Sequence, residues 1–553
     1  MKKGKSKSKV NPVLRNNAHS VRLVANMVRT SFGPRGLDKL FIDETGAVNA
    51  TNDGATILKK SKSNHPIARI ITELAKAVDQ EVGDGTTSAV ILMSALLEKA
   101  VELADSGVHP AMIVNGYNLA LAEALRSLRE VAERFPADSE EWLVRVAASS
   151  IQTKLVGQGA KDLASILVAA ATQVAEKRDG GYNLDTSKII VRTLSGGALA
   201  DTRLIRGMVL QKGLIDPSMP KRLENVKIAL GDVSLVLKKT KFDAKVTMSD
   251  PKMVGKLGQA RRASLKSMGD RVIATGANVI INREGIDDLV ANQFANEGMM
   301  AVRHAKIGDM ANLAKATGAT IANGRTDITS DDLGFAALVE ERKVEGQDWG
   351  DKWLFIEGCK DPKALTILLR GGSWYVVDEA ERSVNDALMA IKDVMEKPAV
   401  VVGGGAAEVE VASWIKGWSR TLEGRKQLAA EAFADALEEL PKALAENAGM
   451  DAINAMTELR SRHAQGGKWF GIDVMQAKVK DMHSSGVFEP LAVKEEVLKV
   501  ATETACMILR IDKVLQKPKA APRQQPRGRL GEAEKTERFE RAMKAGPQSL
   551  GPI

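Results

Sequence analysis

Cysteine is nearly absent: only Cys359 and Cys506 occur in 553 residues, far apart and outside any CxxC spacing. That excludes a disulfide framework and a thiolate zinc site, and it makes a reducing, intracellular setting the default expectation. Histidine is equally sparse, six residues with none at ligand spacing, so an enzyme built on a histidine-bound metal is not expected. No Ser-His-Asp arrangement follows from spacing either. Aromatics make up 4% of the chain, and Ala, Val, Leu and Ile must carry the core instead. No run of 18 or more uninterrupted apolar residues exists, which argues against a membrane span. The basic N-terminus leads into NPVLRNNAHSVRL rather than an apolar stretch, so a cleaved secretory signal is not expected and the cytoplasm remains. The phosphate-loop pattern GxxxxGK[ST] is missing, because Gly4-Lys5-Ser6 lacks the upstream glycine and strand, and no GxGxxG fingerprint occurs. No internal repeat of fixed period is visible.

What is present is an ordinary globular composition, 44% apolar and 27% charged. The length exceeds what one hydrophobic core sustains and suggests roughly three or four domains. The formal charge of +9 suggests a nucleic-acid partner until its location is considered. Residues 1 to 15 carry +6 and residues 513 to 553 another +6, so the body between them stands at −3. Basicity confined to the two ends fits solvated, disordered tails better than a nucleic-acid surface.

From Asn16 to about Ala147 the apolar spacing is mostly helical, broken by turns at Gly33-Pro34-Arg35-Gly36, Asp53-Gly54 and Gly83-Asp84-Gly85. From about Lys188 short β-branched runs follow, KIIVRTL, VKIAL, VSLVL and later NVIIN, with helices between them. After roughly Pro362 helices return, with strand-like ALTILLRGG and AVVVGGG among them. Two helical blocks thus flank an α/β block. They are either separate domains or one domain carrying an insertion.

The stretch EVGDGTTSAVILMSALLEKA, residues 81 to 100, sets an Asp between two glycines directly ahead of a helix with almost no polar face. A helix start leaves N–H groups unpaired and attracts anions, and glycines let an anion reach the backbone. Thr86 or Thr87 could cap that helix or offer a hydroxyl to a phosphate. An Asp in such a loop makes sense when Mg²⁺ lies between carboxylate and phosphate oxygens. On this stretch alone a plain capped turn before a core helix is the simpler reading. SFGPRGLDKL (Ser31 to Leu40), TNDGATIL (Thr51 to Leu58) and VVVGGGAAEVEVA (Val400 to Ala412) add three more turns of this kind, each weak alone. In ERSVNDALMAIKDVME, Asp386 stands four residues after Arg382, which locally reads as a surface ion pair.

Taken together, GPRGLDKL, TNDGATIL, GDGTTSAV, DPSMPKRLENVKIAL, GCKDPKALTILLRGG, DEAERSVNDAL, VVGGGAAEVEVA, GVFEPLAVK and ATETACMILRIDKVL resemble the group II chaperonins, the thermosomes of archaea and their relatives in the eukaryotic cytosol. The matching text runs in family order from about residue 16 to 515. The resemblance implies a multidomain α + α/β subunit. Its mainly helical equatorial, ATP-binding domain would be discontinuous, 1–147 and 401–520. A small intermediate domain would comprise 148–213 and 363–400. An α/β apical, substrate-binding domain would span 214–362, carrying a helical lid protrusion near 244–271, with a disordered basic tail at 521–553. It also implies stacked rings of eight or nine subunits, of one kind or with paralogues, enclosing non-native protein substrates, with ATP and Mg²⁺ as ligands. Membrane and nucleic acid are not expected partners.

By the same resemblance Asp84 is the Mg²⁺ ligand, and Gly33, Pro34, Gly85, Thr86, Thr87 and Ser88 are phosphate contacts. Ser31, Asn52 and Gly54 belong to the same nucleotide-binding loops. Gly404 lies against the nucleoside, and Asp473 and Glu489 meet adenine and ribose. Asp53 and Asp386 position and activate the attacking water, and Lys154 senses the γ-phosphate. The chemistry is coherent, because phosphoryl transfer to water needs charge neutralisation, backbone donors and a carboxylate that orients the nucleophile.

The lid stretch departs from the family. It reads DPKMVGKLGQARRASLKSMGDR, with Arg261, Arg262 and Lys266 where acidic and large apolar residues are usual. Gly255 and Gly258 each cost a helix interior roughly 1 kcal/mol against Ala. Two alternatives to a folding machine stay open: a nucleotide-binding ring or filament scaffold that folds nothing, motivated by this lid, and a nucleic-acid-binding complex, motivated by the basic ends.

Overall fold

The computed structural model describes residues 12–42, 46, 48–61, 66–152, 160–178, 181–237, 251–324, 328–344 and 352–513. Both termini, residues 244–250 of the lid stretch and Lys154 lie outside the described residues. The chain divides into two units after Arg510, and its described sheets and helices lie in the first.

Apolar residues at three- to four-residue spacing form helices Pro12–Arg29, Pro66–Val82, Thr86–Asp105 and Pro110–Val131. Helix Thr86–Asp105 lacks a polar stripe, and Ala89 to Met93 and Ala95 to Leu97 are all buried. A helix apolar all round belongs inside a bundle. Helices Pro12–Arg29 and Pro66–Val82 from the first part of the chain pack against it, as do Arg425–Leu437 and Leu491–Leu509 from the last. The buried Tyr117 phenol donates to Leu96 O at 2.8 Å, which satisfies the one polar group it brings into this core. The hairpin Lys39–Ile42/Val48–Thr51, which helical spacing does not reveal, interrupts the bundle's sequence between two of the glycine turns.

The middle of the chain builds a seven-stranded mixed sheet in the order Met300–Val302, Val279–Asn282, Arg222–Gly231, Gly334–Lys343, Lys352–Glu357, Gly207–Leu210, with Ile321–Ala322 also on Arg222–Gly231. Alternate residues enter opposite cores. Ile228, Leu230, Val279, Ile281, Met300 and Val302 meet helix Ile307–Thr317 on one face. Ala229, Ile280 and Ala301 meet helices Pro251–Ala274 and Asp288–Asn296 on the other. VSLVL, expected as a strand, is not one: Leu235 makes only an isolated bridge to Ile286. At its first residue, Val233, the buried Asn282 side chain stands where a strand would. Its Oδ1 accepts from Val233 N at 3.3 Å and its Nδ2 donates to Val233 O at 2.8 Å, replacing a neighbouring strand. Helix Pro251–Ala274 continues through both Gly255 and Gly258, and Arg261, Arg262 and Lys266 are exposed on it.

A third region pairs Leu365–Gly371 in parallel with Ile189–Ser195 and antiparallel with Arg203–Ile205. Its core joins helices Glu140–Gln152, Ala160–Val174 and Trp374–Glu396 through Leu143, Leu167, Ile367, Val384 and Ile391. Helix Trp374–Glu396 starts at Ser373, whose hydroxyl accepts from Val376 N at 3.4 Å, and ends one residue before Lys397-Pro398. Both cysteines are free, and burial pushes each thiol up to about 11. Among the described residues no helix is long and apolar enough to cross a membrane.

Candidate functional site

The glycine turns take their shape from positive φ. Gly83 (φ 68) and Gly85 (φ 83) hold Asp84 between two left-handed residues. Gly85 is the N-cap of helix Thr86–Asp105 and supplies no side-chain cap. Thr86 is therefore the first helical residue, and neither threonine caps the helix. The first helical hydrogen bond runs from Ala89 N to Gly85 O at 2.9 Å, which leaves the N–H groups of Thr86, Thr87 and Ser88 without an intrahelical acceptor. The triple glycine repeats the device, since Gly405 (φ 80) is the uncapped start of helix Ala406–Ser419. Asp53 works differently: its Oδ2 accepts from Thr56 N at 2.8 Å and caps the short helix Gly54–Lys60.

These turns converge on a cavity of about 410 Å³, a volume suited to a nucleotide-sized ligand. Its wall includes Ser31, Gly33 and Pro34, then Asn52, Asp53 and Gly54, then Asp84 to Ser88. Gly404, Asp473 and Glu489 complete the predicted set found there. Close approach explains several glycines. A Cβ on Gly54 would collide with the Thr87 hydroxyl, and one on Gly85 would lie 2.7 Å from Val497 Cγ2. Arg35 holds the first turn by donating to Met475 O at 3.0 Å, and Ile472 N donates to Gly404 O at 2.8 Å. Ser31 lines the cavity, but its hydroxyl is committed to Leu37 O at 2.6 Å. Asp473 is buried, with Oδ1 accepting from Gln476 N at 2.9 Å.

Asp386 is not among the lining residues. It is half-buried on helix Trp374–Glu396, one turn before Ala390, which does line the cavity. Arg382 turns towards the helix N-terminus and pairs with Asp378 and Glu379. It also donates to Thr51 Oγ1 at 3.0 Å.

Spacing gave no hint of a buried ion cluster behind the glycines. Lys494 Nζ lies 2.5 Å from Glu408 Oε1 and 2.7 Å from Glu489 Oε2. Burial alone would lower Lys494, but the two carboxylates outweigh it and hold the ammonium above its ordinary range. Burial pushes the Glu489 carboxyl up against the pull of Lys494, with Glu408 and Asp84 pushing the same way. Glu408 Oε2 and Asn52 Oδ1 are buried acceptors without a hydrogen-bond partner. The sequence signal for the cluster is charge inside two otherwise apolar segments, Glu408 and Glu410 in AAEVEVA and Lys494 in PLAVK, and it does not say which glutamate joins the lysine.

A family model described as "TCP-1/cpn60 chaperonin family" matches residues 24–519. The chain belongs to the TCP-1/cpn60 chaperonin family. A thermosome subunit of Methanopyrus kandleri is 46% identical over 501 residues, 91% of each chain. The thermosome alpha subunit of Archaeoglobus fulgidus is 45% identical over 537 residues, 97% of this chain and 98% of its own. The beta subunit of that organism is 46% identical over 501 residues, 91% of each. This chaperonin chain therefore resembles two paralogues of one organism about equally.

In this chaperonin the cavity suits an anionic ligand at its glycine end, where two helices begin uncapped. The residues present fit Mg²⁺ as well. Asp84 and the orphaned Asn52 oxygen line the same cavity as the free amides of Thr86 to Ser88. Among the described residues no three His, Cys, Asp or Glu side chains could hold a metal by themselves. The ion would then be bound jointly with phosphate oxygens, as Mg²⁺ commonly is.

Proposed function

We propose that this chain is an ATP-dependent chaperonin subunit that encloses non-native proteins in a double-ring chamber with a built-in lid, and folds them at the expense of Mg-ATP hydrolysis. The observation that carries this reading is the convergence of the separated turns 33–34, 52–54, 84–88 and 404 with Asp473 and Glu489 around one cavity. The helix bearing Asp386 borders that cavity through Ala390.

In this reading the turn at Gly85, the amides of Thr86 to Ser88 and the turn at Gly33-Pro34 receive the phosphates, and Gly404, Asp473 and Glu489 receive the nucleoside. Asp84 holds Mg²⁺, which supplies charge neutralisation on the phosphate oxygens. Asp53 and Asp386 orient and deprotonate the attacking water, and Lys154 meets the γ-phosphate. Asp386 comes from a helix outside the bundle that presents Asp84, so hydrolysis is gated by the seating of that helix. The proposed domains are equatorial 1–147 and 401–520, intermediate 148–213 and 363–400, and apical 214–362, and the shared packing of N- and C-terminal helices supports the first. The subunits assemble in stacked rings of eight or nine, with paralogues where these exist, and act in the cytoplasm.

Two measurements test the reading on the assembled protein. Asp386→Ala should bind ATP normally and lose most turnover. The unaltered protein should restore activity to a denatured enzyme only with ATP. Full turnover in the variant removes the role of Asp386, and turnover without refolding favours a ring scaffold.

A further inference from the structure

One face of helix Trp374–Glu396 carries Arg382, Asp386, Met389 and Asp393 at spacings of four, three and four residues, which align them along a single stripe. That stripe meets two of the loops that line the cavity. Met389 packs against Gly83 so closely that a Cβ there would collide with it. Arg382 donates to Thr51 Oγ1 at 3.0 Å, and the same oxygen accepts from Asp53 N at 3.1 Å. Thr51 is 1% exposed, so this oxygen is shared between two donors away from water. Two hydrogen bonds thus join the guanidinium to the backbone of Asp53. Asp378 and Glu379 grip the same guanidinium from the preceding turn and fix its direction.

We infer that Arg382 is a positioning residue for ATP hydrolysis: through Thr51 it sets the Asp53 turn in register with Asp386 on its own helix. The inference rests on the reading of Asp53 and Asp386 as the pair that orients the water. Among the described residues Arg382 bonds Thr51, Asp378 and Glu379, none of them a proposed nucleotide contact, and its effect is confined to the moment when the helix is seated. The bond crosses between the helix and the hairpin Lys39–Ile42/Val48–Thr51, so it forms or breaks with any relative motion of the two. A fixed guanidinium fork and a buried hydroxyl give this register a defined geometry that an apolar contact would not.

The test uses the full-length assembled protein and four variants: Thr51→Val, Thr51→Ser, Arg382→Gln, and Thr51→Val with Arg382→Gln. Turnover number, KM and the dissociation constant for ATP are measured for each, and circular dichroism checks folding. Thr51→Val should lower kcat about tenfold or more while KM and nucleotide affinity stay within about twofold, because a small misplacement of reacting groups costs rate before binding. Thr51→Ser keeps the oxygen and should retain at least about half of the turnover. Arg382→Gln should reproduce the loss, and the double variant should be no worse than the poorer single one, as expected of two members of one contact. Losses that multiply in the double variant, or a loss in affinity equal to the loss in kcat/KM, overturn the inference. Unchanged kcat in Thr51→Val, with Asp386→Ala still inactive, overturns it while leaving the functional reading intact. Full turnover in Asp386→Ala overturns both.

Discussion

Gly85→Ala perturbs the site at one atom and separates two physical costs. Gly85 sits at φ 83, so an alanine there would occupy the left-handed region at a cost of about 1–2 kcal/mol. The new Cβ would also lie 2.7 Å from Val497 Cγ2 and 3.0 Å from Val493 Cγ1 on helix Leu491–Leu509. Crowding of that size costs about 1 kcal/mol at the lower end of the overpacking range, since valine methyls can yield a little. A loop that relaxes to shed the resulting 2–3 kcal/mol or so moves Asp84 and the Thr86 amide away from the ligand. At about 1.4 kcal/mol per factor of ten, nucleotide affinity should fall by roughly 30- to 150-fold. Titration calorimetry with ATP and Mg²⁺ measures this directly, with phosphate release as the parallel readout. Adding Val497→Ala should remove only the crowding share and recover about fivefold, with Val497→Ala alone as the control. Affinity within twofold of wild type in Gly85→Ala would falsify the argument from close approach. Complete recovery in the double variant would show that backbone conformation plays no part.

Three further outcomes are expected. Asp393 is buried with one carboxylate oxygen lacking a partner, and burial, modulated by Lys392, Glu396, Lys397 and Glu81, pushes its carboxyl up to about 8. The folded state therefore holds a proton that the unfolded chain releases in the ordinary carboxylate range, and stability falls as pH climbs from there towards about 8. Asp393→Asn should raise the midpoint of thermal unfolding more at pH 8 than at pH 5, by about 2–4 °C for each kcal/mol regained; an equal gain at both pH values contradicts the assignment. Lys494→Met strands Glu408 and Glu489 without their shared cation and should cost about 3–5 kcal/mol in denaturant unfolding, with partial relief on adding Glu408→Gln. A loss below 1 kcal/mol or so would mean water reaches the cluster. Asp84→Asn should raise the Mg²⁺ concentration needed for half-maximal turnover about tenfold or more while leaving Mg-free nucleotide binding nearly unchanged. An unaltered Mg²⁺ requirement would remove Asp84 from the metal's ligands.

Several elements are legible in the sequence. The buried helix Thr86–Asp105 follows from an apolar run broken only by Ser94 between Ala89 and Leu97, and Ile189–Ser195, Val279–Asn282, Leu365–Gly371 and Ala399–Val402 follow from short β-branched or leucine-rich runs. The turns at Gly33, Gly83-Asp84-Gly85 and Gly404-Gly405 are legible as turns because glycine tolerates their positive φ at little cost, and Asp53-Gly54 because Asp is a favoured helix cap. VSLVL departs from its β-branched pattern because the Asn282 side chain takes both backbone groups of Val233, leaving Leu235 a single bridge, and no local pattern announces that a side chain will take a strand's hydrogen bonds. The hairpin Phe470–Asp473/Lys478–Asp481, which places Asp473 in the cavity wall, was hidden for a similar reason. Its strands of four residues each are too short to establish a period.

The sequence by itself determined which groups were available: four glycine turns, the carboxylates Asp53, Asp84, Asp386, Asp473 and Glu489, and an order of motifs that identifies the chaperonin family. Composition and local backbone preference act over a few residues, so they specify turns, helices and the chemistry each carries. Which of these groups share a cavity was decided only by tertiary structure. So were the standing of Asp386 one turn outside it, the commitment of Arg382 to Thr51 rather than to the surface, and the burial of Lys494 between two carboxylates. The cavity and the Arg382–Thr51 contact join segments hundreds of positions apart, and Lys494 meets Glu408 across 86 positions; the energy there lies in excluded water and close contact rather than in the order of residues along the chain.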